Sequence, residues 1–178
     1  MRKHFVFFLI LFSLLLAGCG EAQFGMSGDE FLTRLVSVFY RVRGGFNSNS
    51  ISLAEKTPEG TTMSYNNSIF LTVHETRERS DVESISVVLV TQDASPARQF
   101  LKGGVPGDDM LFENICLQVI FALNPRMSDV NGQRILREIG GDSLFLDGKR
   151  RSASDGKYRY IMKLHENGMA IMVVTSTQ

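Results

Sequence analysis

The feature that most constrains this chain lies at its start. Phe5 to Ala17 is an apolar run of 13 residues broken only by Ser13, and it follows Arg2 and Lys3. A cationic start, a short apolar stretch and then small residues mark an export signal that is removed and never joins the fold. The run is too short to be a membrane span, which needs about 20 apolar residues. A helix apolar on every face, at a chain end and behind two cations, is also a poor core element. The fold must therefore be built from residues C-terminal to this run.

The run ends in Leu16-Ala17-Gly18-Cys19. This motif resembles the lipobox of bacterial lipoproteins in residues, position and spacing, and the resemblance covers residues 1–19. It implies that residues 1–18 are a signal peptide and that Cys19 becomes the lipidated first residue. The partner it implies is the membrane, through acyl chains on Cys19. Several chains are needed because each buried CH₂ contributes about 0.8 kcal/mol and one chain holds only marginally. Gly20, standing where Asp usually means inner-membrane retention in this family, implies the outer membrane, facing the periplasm, in a Gram-negative source.

The mature chain would have 160 residues, enough for one domain with a real core. Loss of Arg2 and Lys3 leaves 17 basic against 19 acidic side chains, too near neutrality to suggest nucleic acid. With Cys19 lipidated, Cys116 has no partner, so no disulfide framework is expected. Cys116 sits in an apolar run and reads as a small buried hydrophobe.

Residues 19–27 read as a lipidated tether and 28–178 as a single domain. Ser27 and Glu30 fit a capping box, followed by Phe31, Leu35, Val38, Phe39 and Val42 at helical spacing and by Gly44-Gly45. Four strands are expected over 51–55, 61–65, 68–76 and 84–91, with short antiparallel links. Ser95-Pro96 opens a short helix, and 103–107 is a breaker-rich loop. Asp108 or Asp109 can start a helix through Leu123. That helix is apolar nearly all round, so it is buried on more than one side, or else forms the wall of a groove for a hydrophobic ligand. Ser128 caps a further helix through Ile139. Lys157 to His165 alternates strictly, Asn167-Gly168 is a hairpin signal, and Met169 to Thr175 returns. The order predicts an α+β fold, an antiparallel sheet of about six strands with helices on one face.

No catalytic constellation emerges. Gly141-Asp142-Ser143-Leu144 matches the four letters of the GDSL hydrolases, but Ser143 comes near the chain end and His165 lacks the Asp three residues before it. The match reads as a turn. His74-Glu75-Thr76-Arg77-Glu78 lacks the second histidine of the zinc-protease signature and falls at a strand end. His74, His165 and one free thiol make no metal set, and no cofactor motif occurs. One charge pattern stands out. Lys149-Arg150-Arg151 precedes a strand in which Lys157, Arg159 and Lys163 share one face, with Tyr158, Tyr160, Met162 and Leu164 on the other. This is a solvated face whose lysines guard an edge, or a basic patch for an anionic lipid headgroup, glycan or acidic protein. The best-supported expectation is a non-enzymatic binding or accessory factor of a cell-envelope complex. An envelope hydrolase or enzyme inhibitor, and a carrier of a lipid-like ligand, are the alternatives.

Overall fold

The computed structural model describes residues 24–42, 51–57, 60–65, 68–76, 81–90, 108–141, 149–164 and 169–177. The expected start of the first helix is present. Ser27 is extended, and its Oγ accepts from the Glu30 N–H at 3.2 Å, satisfying one of the donors a helix N-terminus leaves open. Helix α1 runs Gly28–Val38 and tightens into a 3₁₀ turn, Phe39–Arg41. Phe31, Leu35, Val38 and Val42 are buried, as their spacing requires.

Strands β1 (Ile51–Thr57), β2 (Gly60–Tyr65), β3 (Ile69–Glu75) and β4 (Val82–Val90) form an antiparallel meander. Helices α2 (Asp108–Leu123) and α3 (Asp129–Glu138) come next, then β5 (Arg150–Ser154), β6 (Tyr158–Leu164) and β7 (Met169–Ser176). The sheet has seven strands rather than about six, ordered β1-β2-β3-β4-β7-β6-β5, each antiparallel to its neighbours. The extra strand is β5, whose sequence reads only as a basic lead-in. The α+β class is as expected. The helix Ser95–Lys102, the 103–107 loop and the Asn167-Gly168 turn lie outside the described residues.

One sheet face carries the core. Tyr65, Leu71, Val73, Ile85, Val87, Met172, Val174, Tyr158 and Tyr160 all face it and are buried. The near-uniform apolarity of α2 is explained by its neighbours, since it packs against α1, α3 and β4. Phe112 and every residue from Ile115 to Leu123 are buried, so this stretch of the helix is core, while Leu111, Glu113 and Asn114 are half-buried. Arg41 fastens the end of α1 to the α2–α3 corner. Its guanidinium donates to the Pro125 and Met127 carbonyls at 2.9 Å and to Asp129 Oδ1 at 2.8 Å, and lies 4.3 Å from the Phe121 ring centre. Ser128 caps α3 by accepting from the Asn131 N–H at 3.3 Å.

Residues 24–27, assigned to the tether by their composition, lie inside the fold. Phe24 and Met26 are buried. The Phe24 N–H donates to the Val82 carbonyl, and the Val82 N–H donates to the Met26 carbonyl. Phe24 stacks on Tyr158 with centroids 5.0 Å apart. Phe24 and Met26 both turn inward around Gly25, which bends the backbone at φ +66°, so no strand pattern marks the segment.

Cys116 is buried and free. Burial pushes its thiol well above the usual range, and Glu113 adds to the rise. Only a thiolate attacks alkylating reagents efficiently. Under native conditions Cys116 is therefore expected to label only as fast as the domain opens. Prompt labelling with iodoacetamide, read out by mass spectrometry, would contradict this.

Candidate functional site

The face opposite the helices is where the basic residues gather, and strand pairing arranges it in rows. The first row is Arg150, Lys163, Ile171, Val88 and Phe70, each opposite the next across β5, β6, β7, β4 and β3. The second is Ser152, Ile161, Val173, Ser86 and Thr72. The third is Ser154, Arg159, Thr175, Ser84 and His74. The face is thus apolar near one end of the strands and polar towards the other. Val88, Ile171 and Val173 form a second buried cluster, distinct from the main core, with Val90 packed against it. Exposure grows towards β5. Ile161 and Lys163 are half-buried, and Arg150, Ser152, Ser154 and Arg159 are exposed.

The expected register of β6 is present. Tyr158, Tyr160 and Met162 are buried, and Arg159 stands on the opposite face. The three basic residues do not form one tight patch. Lys157 precedes the strand, in the turn between β5 and β6, with its Nζ 5.1 Å from the centre of the Tyr158 ring. Arg159 and Lys163 are four positions apart on one strand, about 13 Å. The nearest cation to Lys163 by register is Arg150, which sequence spacing did not link to it. No ion pair of Arg150, Arg159 or Lys163 occurs among the described residues.

The turn beneath Lys157 is rigidly made. Asp155 Oδ1 accepts from the Lys157 N–H at 2.9 Å and the Tyr158 N–H at 2.7 Å. Its Oδ2 accepts from the Tyr160 hydroxyl at 2.8 Å. Burial first, and Asp155 second, hold the Tyr160 hydroxyl far above the usual tyrosine range, so it remains a donor. Thr177 Oγ1 donates to the Gly156 carbonyl at 2.8 Å, tying the turn to the end of β7.

Between the cations and β7 the sheet has a hollow lined by Arg150, Ile161, Lys163, Ile171 and Val173. Its floor is aliphatic and its rim carries two positive charges, with no nucleophile or carboxylate in the lining. His74 is buried on the same face with Nε2 3.4 Å from Ser86 Oγ. Among the described residues no group of three His, Cys, Asp or Glu side chains could hold a metal ion. Likewise, no described helix is long and apolar enough to cross a membrane. Cys19, Ser143 and His165 lie outside the described residues. Compared with models of protein families, with curated proteins and with solved structures, the chain returns no match.

Proposed function

We propose that this chain is a bacterial lipoprotein, anchored through acyl chains on Cys19. Its domain serves as a non-enzymatic binding or accessory factor of a cell-envelope complex. The observation that carries the reading is the closeness of the lipobox cysteine to the first core residue. Phe24 is already packed on Tyr158, so only Gly20 to Gln23 separate it from Cys19. Five Cα steps span at most about 18 Å whatever path they take. A domain on so short a leash works at the membrane surface, and its partner must come there. Arg150 and Arg159, exposed on a sheet face, are side chains suited to a protein or glycan partner bearing negative charge. Gly20 favours the outer membrane, facing the periplasm, in a Gram-negative cell.

The test begins with the anchor. Mass spectrometry of the membrane-extracted protein is expected to find a chain starting at Cys19 and carrying acyl mass. Cys19→Ala is expected to leave an uncleaved or mislocalised precursor. A soluble, unmodified mature protein from the wild-type sequence would overturn the reading. Crosslinking of the intact lipidated protein in its native envelope would then identify the partner.

A further inference from the structure

Helix α1 and the turn that closes it carry two apolar stripes. Phe31, Leu35, Val38 and Val42 form the first and are buried. Leu32, Val36, Phe39 and Tyr40 form the second, beside the first and at the same helical spacing. Leu32 and Phe39 are half-buried against the core, but Val36 is 65% and Tyr40 90% exposed. Single exposed apolar side chains are ordinary. These two share one stripe, and it lies on the first helix after Cys19.

The size of the stripe narrows what can cover it. Four side chains fall far short of the roughly 20 to 30 residues a side that a stable protein interface uses. A surface to which the chain is already tied needs much less, because a tether supplies a high effective concentration. For this chain that surface is the bilayer holding Cys19. Cys19 lies within about 18 Å of Phe24, and Tyr40 lies about 18 Å along the helix axis from Gly28. The acyl chains can therefore enter a bilayer along which α1 lies. Charge does not oppose this. Glu30 is paired with Arg34 at 2.6 Å and Asp29 with Lys56 at 3.7 Å, so neither carboxylate of the helix meets anionic headgroups unneutralised. Tyrosine also suits the place, with an apolar ring and a polar tip that settle at headgroup depth.

We propose that α1 lies on the surface of the phospholipid bilayer, with Val36 and Tyr40 inserted at headgroup depth and Leu32 and Phe39 beside them. The proposal rests on the anchoring at Cys19 and adds an orientation to it. The domain lies with one side on the membrane instead of hanging from its tether.

The chain contains no tryptophan, so a single one can serve as reporter. The experiment uses the full lipidated chain in vesicles of phosphatidylethanolamine and phosphatidylglycerol, carrying either Tyr40→Trp or Val130→Trp. Val130 is 79% exposed but stands on α3, off the stripe. The emission of Tyr40→Trp is expected to shift to the blue on reconstitution and to be quenched by added phosphatidylcholine brominated on the upper acyl chain. Val130→Trp is expected to do neither. Val36→Gln, added to Tyr40→Trp, is expected to lower the ratio of docked to free domain roughly tenfold, as loss of one aliphatic side chain from an apolar site does. The three positions are exposed, and circular dichroism checks that the fold is kept. Vesicle flotation and intact mass are read on the same samples. A chain that floats with its acyl mass while Tyr40→Trp stays unshifted would overturn the docking and leave the anchor standing. A chain without acyl mass would overturn both. A shift that grows with the protein-to-lipid ratio and resists the brominated lipid would assign the stripe to a second copy and overturn the proposal, as would equal quenching at both positions.

Discussion

Replacing Tyr160 by alanine is expected to destabilise the domain by about 3 to 5 kcal/mol, the range for aromatic truncations in cores. The ring is fully buried, facing the core between Ala153 on β5 and Val174 on β7. Its loss leaves a cavity in the middle of three strands. The hydroxyl adds a second cost, because it donates to Asp155, whose other oxygen holds the turn into β6. Tyr160→Phe separates the two terms. It keeps the ring and removes a hydrogen bond to a carboxylate, for an expected loss of about 1.5 to 3 kcal/mol. Arg159→Ala, one residue away on the opposite face, is expected to change stability by less than about 0.5 kcal/mol. Denaturant midpoints of the three variants, with the slope unchanged, give the comparison directly. A large loss from Arg159→Ala with none from Tyr160→Ala would mean that β6 is displaced by one residue and its faces are exchanged.

The register of β6 could be read because it rests on local alternation, and the same is true of the caps. Ser27 and Ser128 each precede an amphipathic run, and each accepts from the N–H three residues on. What could not be read depends on partners distant in sequence. The strand β5 is Arg-Arg-Ser-Ala-Ser, and only Ala153 is buried. Nothing in that composition argues for a strand, and its place is set by pairing with β6. The insertion of β7 between β4 and β6 is likewise invisible to periodicity, which reports the face a side chain takes and not the neighbour it meets. The candidate site shows the same division. Arg159 and Lys163 are visible in the sequence as residues of one strand face. Arg150 joins Lys163 only through cross-strand register, and the aliphatic floor comes from β7 as well as β6. Phe24 and Met26 escape because two buried side chains in a small, polar stretch are a weak signal. Their place depends on hydrogen bonds to Val82, more than 50 residues away.

Gly60→Ala is expected to be about as damaging as truncating Tyr160, for a reason that lies wholly in the backbone. Gly60 opens β2 at φ +141°, a conformation that side chains rarely adopt. A Cβ there would lie 1.9 Å from the Val73 carbonyl oxygen and 2.9 Å from its carbon. Strain of this kind costs on the order of 1 to 3 kcal/mol by itself. The contact adds to it, because the obstacle is backbone of the paired strand and cannot rotate away. Relief requires moving β2 off β3 where Gly60 pairs with His74 and Thr61 with Val73. The expected loss is about 3 kcal/mol or more, a large share of the 5 to 15 kcal/mol typical of a domain. Gly156 supplies the control. It also has positive φ, +93°, but a Cβ there meets nothing within 4 Å. Gly156→Ala therefore carries the conformational cost alone, roughly 1 to 2 kcal/mol. Thermal or denaturant unfolding of the two variants should rank them clearly, with Gly60→Ala the less stable. Equal losses would mean that β2 and β3 do not approach as closely at Gly60 as their register implies.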